Sequence, residues 1–452
     1  MKIRRPLLAA ALGTTFLVTA TYRVDAAASQ EGSWSAPRDL GIVGVHAALL
    51  HTGKVLFYSG TEGESAGSVA RVYDPATNQV KRVSIPYEHP AFCSGVTVLR
   101  DGRVMVEGGQ VDLQIGAGVK DVSIFDPATE TWSRGTPTLK ARYYPSVVEL
   151  PDGRVLAVAG SDEDVNDVPQ LEVYDPATAT WTLLPPSANQ VSPTYPRLFL
   201  LRNGKIVRAG EQQQTRLFDP ATNTWTNVGR MKYGNRVSGA AVLLPGLQKV
   251  LYSGGNNSLV ATNTAEVFDA GASTPGWKYT GAMNAGRTNH NLVLLADGTV
   301  LAVGGGRIAP YGTATKRAEL YDPATGTWKL MAAQRAQRTY HSTALLLPDG
   351  RVISAGSDFG TKAETYEIFS PPYLFKGPRP SISSAPGSIA YGQSFSIGTT
   401  DSDISSVALI RPSAVTHGDN FDQRYVDLSF SAGAAAVEAT APASGAVAPP
   451  GY

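Results

Sequence analysis

The chain has 452 residues, a net charge of +1, 46 glycines, 30 prolines and one cysteine. Sparse charge with many turn formers suits an all-β protein of two or three domains. No basic patch stands out, so nucleic acid is not an expected partner, and a lone cysteine excludes an internal disulfide framework.

In chain order, residues 1–28 read first, as an export signal. Lys2, Arg4 and Arg5 make a positive start, residues 7–20 are largely apolar, and Ala26-Ala27-Ala28 offers small residues for cleavage. The apolar run is short and broken by Thr and Gly, which favours cleavage over a membrane anchor. No later stretch could span a bilayer. The expectation is a secreted or extracytoplasmic protein with no membrane partner, and the net charge becomes slightly negative once the leader is gone.

Residues 29–377 repeat one phrase. A hydrophobic run, a D-G-type turn and a second run ending in Gly lead to Y/F-D, in most copies followed by P-A-T-x-x-W. The Asp of that phrase recurs at Asp74, Asp126, Asp175, Asp219, Asp269 and Asp322, 44 to 53 residues apart. Residues 147–158 (VVELPDGRVLAV) show the first half, and such turns between β-rich runs predict hairpins. Four short strands per copy at a period near 50 residues predict a kelch-type β-propeller. The count is seven, because a copy from Tyr340 to about Leu374 lacks its closing D-P-A-T-x-x-W strand. Trp34, before the first copy, could supply that strand and close a seven-bladed ring, removing exposed sheet edges.

After residue 377 the repeat stops. Residues 378–452 show short alternating strands, including 394–397 and 407–410, which predict a small C-terminal β-sandwich. Its tail is rich in Ala, Gly and Pro, and the sandwich is expected to be incomplete at its C-terminus.

Aligned on the hairpin turns, the copies place Gly44, Cys93, Tyr144, Tyr195, Asn289 and His341 at one equivalent position, with the fifth copy near Arg236. In a closed ring such positions converge around the axis. Singly, each aromatic residue there reads as channel filler. His290 beside Asn289 reads as packing or rim. Jointly, a thiol, phenols and an imidazole at one end of one axis form a candidate site, with Gly44 leaving room for an ion or an inserted loop. Imidazole and phenolate donors favour Cu(II).

Residues 338–352 (RTYHSTALLLPDGRV) closely resemble the copper-radical oxidases, the galactose oxidase and glyoxal oxidase family. So do Phe92-Cys93-Ser94-Gly95, residues 141–146 (ARYYPS) and residues 416–424 (THGDNFDQR). The four motifs occur in family order, and the match runs from about residue 85 to the C-terminus. The resemblance implies that the second domain is an immunoglobulin-like (early set) sandwich. It implies that Tyr144 is a copper ligand joined through its ring to Cys93 in a self-formed thioether, the built-in radical cofactor. Tyr340 would be the axial ligand and general base. His341 and His417 would complete the copper site, with His417 delivered by a loop from the second domain. The reaction implied is oxidation of a small aldehyde or primary alcohol, with O2 reduced to hydrogen peroxide. No flavin or nicotinamide is needed, and a monomer is expected.

Two departures point to the glyoxal side of the family. Galactose oxidase stacks a tryptophan over its cross-linked tyrosine, where residues 160–164 (GSDED) here hold no aromatic residue. It also carries an N-terminal sugar-binding domain, for which too few residues precede the first copy. Tyr195 and Arg197 are candidate substrate contacts, with channel filler and a solvated rim charge as the alternatives. Two rival functions remain. A non-catalytic propeller binding glycan or protein predicts no copper and no cross-link. A hydrolase or lyase would need paired carboxylates, and the nearest cluster, Asp162, Glu163 and Asp164, reads as a solvated loop.

Overall fold

A computed structural model describes residues 27–59, 68–111, 116–308, 312–358, 362–433 and 435–452. The leader expected over residues 1–28 lies outside the described residues except for its last two positions. The fold is all-β, made of many small antiparallel sheets consistent with a β-propeller and a second β domain.

The third copy shows how the repeat becomes a sheet. Ser146–Glu149, Val155–Val158, Glu172–Asp175 and Thr180–Leu183 pair in sequence order, each antiparallel to the next. The first three strands are almost wholly buried. Their continuous apolar runs therefore face neighbouring sheets on both sides. At the first hairpin, Gly153 adopts φ 83° and Asp152 Oδ1 accepts the Arg154 N–H at 3.1 Å. That positive φ is what the glycine of the D-G turn provides. At the second hairpin, Asp175 Oδ1 accepts the Ala177 N–H at 2.9 Å, an Asx turn that accounts for D-P-A-T.

Each repeat tryptophan joins two sheets. Trp181 packs on Tyr174 at 5.0 Å and donates its indole N–H to Thr136 O, in the preceding copy, at 2.9 Å. Trp132, Trp225 and Trp328 donate in the same way to Val83, Ala188 and Gly281. Trp34 follows the same rule. The strand Ser33–Trp34 pairs with Thr365–Ser370, Trp34 packs on Phe369 at 5.0 Å, and its indole reaches Ala332 O at 3.0 Å. The N-terminal strand thus completes the sheet that the last copy leaves short.

A second device was not legible from the repeat phrase. Arg142, Arg236, Arg287 and Arg338 are fully buried and pair with Glu172, Glu266, Glu319 and Glu367. Each carboxylate also accepts two backbone N–H groups from the segment between sheets, as Glu172 does from Leu139 and Lys140. These hydrogen bonds offset the cost of burying the charges.

The second domain contains a three-stranded sheet (Ser394–Gly398, Ala436–Thr440, Phe430–Ala432) and a two-stranded one (Val407–Arg411, Arg424–Leu428). Between them a cleft of about 740 Å³ is lined by Phe395, Ile397, Val407, Leu409 and Val437, among others. It holds none of the candidate site residues. From this domain the hairpin Ala414–Thr416 and Asp419–Asn420 leaves its own sheets and pairs with the first copy's inner strand, His46–Leu49. Asp422 grips Thr97 and Val98, and Gln423 bridges Leu292 and Leu294. Arg424 reaches Leu200 O at 2.6 Å.

Trp34→Ala should destabilise the fold by about 2–3 kcal/mol, since it removes both packing and the sheet-to-sheet hydrogen bond; a urea midpoint unchanged from wild type would show that the strand contributes nothing. Glu107 is fully buried with no hydrogen-bond partner on either oxygen, and burial raises its carboxyl from 4.5 to about 8. The folded carboxyl keeps its proton while the unfolded chain releases it, so stability falls as pH rises through that window. Glu107→Gln should therefore stabilise the protein at pH 8 by on the order of 2 kcal/mol, with little gain at pH 4.5. Urea titrations at both pH values test this, and a gain independent of pH would contradict it.

Candidate metal centre

The inner ends of the strands carry the site. Cys93, Tyr144, Tyr195, Asn289 and His341 all adopt left-handed backbone, with φ between 45° and 62°. Five non-glycine residues in that region mark one repeated geometry, in which the chain turns sharply before each inner strand. The fifth copy's equivalent is Ser238 (φ 55°), two residues beyond Arg236, whose own side chain is spent on Glu266. The irregular turn Leu243-Leu244-Pro245-Gly246 displaced the alignment there. Gly44 also departs from the expectation. Its missing side chain makes way for Phe57, whose Cδ1 would lie 2.9 Å from an added Cβ. The inserted hairpin instead uses the strand edge that starts at His46.

That hairpin places His417, again left-handed at φ 51°, among residues 76 to 324 positions earlier in the chain. Ring centroids put His417 4.7 Å from His341, 5.1 Å from Tyr144 and 5.2 Å from Tyr340. The Tyr144 and Tyr340 hydroxyls meet in a short hydrogen bond. Cys93 Sγ lies 3.4 Å from His417 Nε2, and the donor atoms of Cys93, His341 and His417 fall within 4.8 Å of one another. All five candidate residues for metal and cross-link converge. Tyr144 and Tyr340 keep part of their surface accessible, as does Phe92, which packs edge-on to His341 at 5.2 Å.

Hydrogen bonds set both imidazoles for ligation. Thr416 Oγ1 donates to Val45 O at 2.9 Å and so accepts from His417 Nδ1 at 2.6 Å. His341 Nδ1 donates to Asp358 Oδ2 at 2.7 Å. In each ring the lone pair is therefore left on Nε2. His341 Nε2 is buried with no partner, an uncompensated acceptor that a cation would satisfy. Burial holds His417 well below the usual imidazole range, which keeps it neutral as a ligand must be. Burial also pushes the Cys93 thiol and the Tyr144 phenol upward. Two imidazoles and two phenols with anchored outer nitrogens fit a tetragonal N/O site of the kind Cu(II) prefers.

Tyr195 and Arg197 sit deeper. Tyr195 packs on Tyr144 and His417 at 4.7 and 4.8 Å, but its hydroxyl donates to Ser94 O at 2.9 Å. Arg197 is 2% exposed and directs its guanidinium to Tyr195 O, Gly239 O and the Asp419 carboxylate. Both lie within the wall of the site. His290 is fully buried against Ser253 Oγ at 2.9 Å, in keeping with packing. Asp162 caps its own loop through the Asp164 and Asn166 N–H groups, and Glu163 and Asp164 are exposed. Asp358, Thr416, His46 and Tyr143 are the residues that sequence reasoning missed. Tyr143 packs edge-on to Tyr144 at 4.2 Å, and its place beside Tyr144 in the sequence was a usable signal. Asp358 had none, since it reaches His341 from the loop after the next strand.

Residues 61–373 match the family described as Glyoxal oxidase N-terminus, and residues 379–452 match Galactose oxidase-like, Early set domain. Galactose oxidase of Gibberella zeae is 29% identical over 469 residues, covering 93% of this chain and 68% of that one. Aldehyde oxidase GLOX of Vitis pseudoreticulata is 26% identical over 438 residues, covering 84% and 81%. Among solved structures, a fungal alcohol oxidase of the AA5 family in complex with copper is similar in fold. Its TM-score is 0.82 at 24% identity, over 93% of this chain and 95% of that chain.

Asp358→Asn should weaken binding of Cu2+ roughly 10- to 100-fold, because the His341 ring loses the carboxylate that orients it. Competition against a chromogenic chelator measures this, and an unchanged affinity would remove Asp358 from the account of the site.

Proposed function

We propose that this chain, which belongs to the glyoxal oxidase N-terminus family and carries a galactose oxidase-like early set domain, is a secreted copper-radical oxidase. Its substrate would be a small aldehyde of the glyoxal type or a primary alcohol, and hydrogen peroxide its second product. The architecture in this reading is a seven-bladed ring over residues 29–377 with the early set domain behind it, acting as a monomer. The observation that carries the reading is the pair of imidazole Nε2 atoms, each freed by an anchored Nδ1, facing two phenols and the single thiol.

Copper would be held by Tyr144, Tyr340, His341 and His417, and when bound it supplies one of the two one-electron acceptors that a two-electron oxidation needs. The second acceptor would be the Tyr144 phenol, joined through its ring to Cys93 Sγ. A thioether on the ring lowers the potential at which the phenol gives up an electron. Tyr340 Oη would take the substrate hydroxyl proton, a role supported by its hydrogen bond to Tyr144 Oη. Phe92, half-buried and edge-on to His341 at 5.2 Å, would border the substrate. Tyr195 and Arg197 would act from within the wall, Tyr195 by holding the Tyr144 and His417 rings and Arg197 by holding Asp419. Substrate contact by either would need a path into the channel.

The test is to load the chain with Cu2+ in air and measure oxygen uptake and peroxide with glyoxal, methylglyoxal, glycolaldehyde and galactose. Wild type should turn over a small aldehyde fastest and lose about two mass units on maturation, the two hydrogens removed in forming a C–S bond. Tyr144→Phe should keep the fold and bind copper more weakly, with turnover at least about 10³-fold lower. Full activity in that variant would refute the mechanism. Tight glycan binding with neither turnover nor mass loss would favour the non-catalytic alternative.

A further inference from the structure

Three of the left-handed residues donate their backbone N–H to the left-handed residue of the preceding copy, whereas the Ser238 N–H goes to Glu211 Oε1 at 2.7 Å. Tyr144 N–H donates to Cys93 O at 3.0 Å, Tyr195 N–H to Tyr144 O at 2.9 Å, and Asn289 N–H to Ser238 O at 2.7 Å. By that rule the Cys93 N–H should go to a carbonyl of the first copy. The equivalent acceptor there, Gly44 O, accepts Thr343 Oγ1 at 3.0 Å instead.

A side chain takes over. Cys93 N–H donates to His46 Nε2 at 3.1 Å. His46 is fully buried and stacks on Tyr58 with ring centroids 4.3 Å apart and planes 4° from parallel. Its backbone is fixed between Tyr58 on one side and Thr416 on the other. Because Nε2 accepts, a neutral ring carries its proton on Nδ1, and burial keeps the imidazole neutral. The His46 ring lies 6.0 Å from His417, so one strand pair locates both.

We infer that His46 is a positioning residue for Cys93. By holding the Cys93 N–H it keeps a non-glycine residue at φ 57°, and that backbone aims Sγ toward Tyr144 and His417. The inference rests on the copper-radical reading of the site. The step that it serves breaks the Cys93 S–H bond and one ring C–H bond of Tyr144 and forms one C–S bond. Two protons and two electrons leave, and dioxygen accepts them as hydrogen peroxide. A displacement of Sγ by about 1 Å can slow such a step on the order of 100-fold.

The experiment uses the whole chain, purified without copper and then given Cu2+ in air, with thioether formation followed by mass loss and by the linked Cys93–Tyr144 peptide. His46→Phe keeps a ring on Tyr58 and removes the acceptor, while His46→Gln restores an acceptor at similar reach. Wild type and His46→Gln should mature at comparable rates, and His46→Phe at least about 10-fold more slowly with its cooperative melt retained. His46→Phe maturing at the wild-type rate overturns the inference. Should His46→Phe lose its cooperative melt, His46→Gln is compared with His46→Met, of similar length but without a strong acceptor. Equal rates for that pair overturn the inference as well. A wild-type chain that forms no thioether would overturn the copper-radical reading itself, which separates the two failures.

Discussion

The pairing of Ala414–Thr416 with His46–Leu49 is the contact on which the site depends. It carries one histidine from the second domain into the centre of the first. Its Thr416 hydroxyl is anchored on the Val45 carbonyl at 2.9 Å. A strand pair is a strong tether because every backbone group in it is committed. Side chains reinforce it on several faces of the ring: Asp422 on Thr97 and Val98, Gln423 on Leu292 and Leu294, Arg424 on Leu200. The two domains are therefore joined at the candidate site, whose residues come from both.

Around that tether the repeated sheets act as a rigid mount. Tryptophan indoles reach the preceding sheet, and buried arginine–glutamate pairs fasten the segments that run between sheets. The left-handed inner residues then project from fixed ends. Donor atoms set on strand ends hold their geometry better than atoms on free loops. His341 and His417 are each held a second time through Nδ1, by Asp358 and Thr416. Such outer contacts fix the tautomer as well as the ring plane.

Much of this was legible in the sequence for local reasons. Hairpin turns demand particular residues at particular offsets, so D-G and D-P-A-T mark strand boundaries wherever they occur. Trp34 was readable as a displaced member of the series because the last copy lacked its closing strand. Equivalent offsets brought Cys93, Tyr144 and His341 together before any coordinates. The offset rule was least sharp where its assumption of a regular turn failed, and it located the fifth position, Ser238, only as near Arg236. It also gave Gly44 a role that belongs to the strand edge beginning at His46.

Residue type and repeat period, then, determined the class of the fold and the residues that could carry the chemistry. Both are properties of short windows, and a sequence holds them explicitly. What only the tertiary structure decided is which groups those residues meet. His46 and Cys93 are 47 positions apart, and Cys93 and His417 are 324. No spacing encodes such contacts, because each depends on how several sheets close and on which strand the inserted hairpin pairs with. Whether a given N–H finds a carbonyl or an imidazole is settled by competition among neighbours in space.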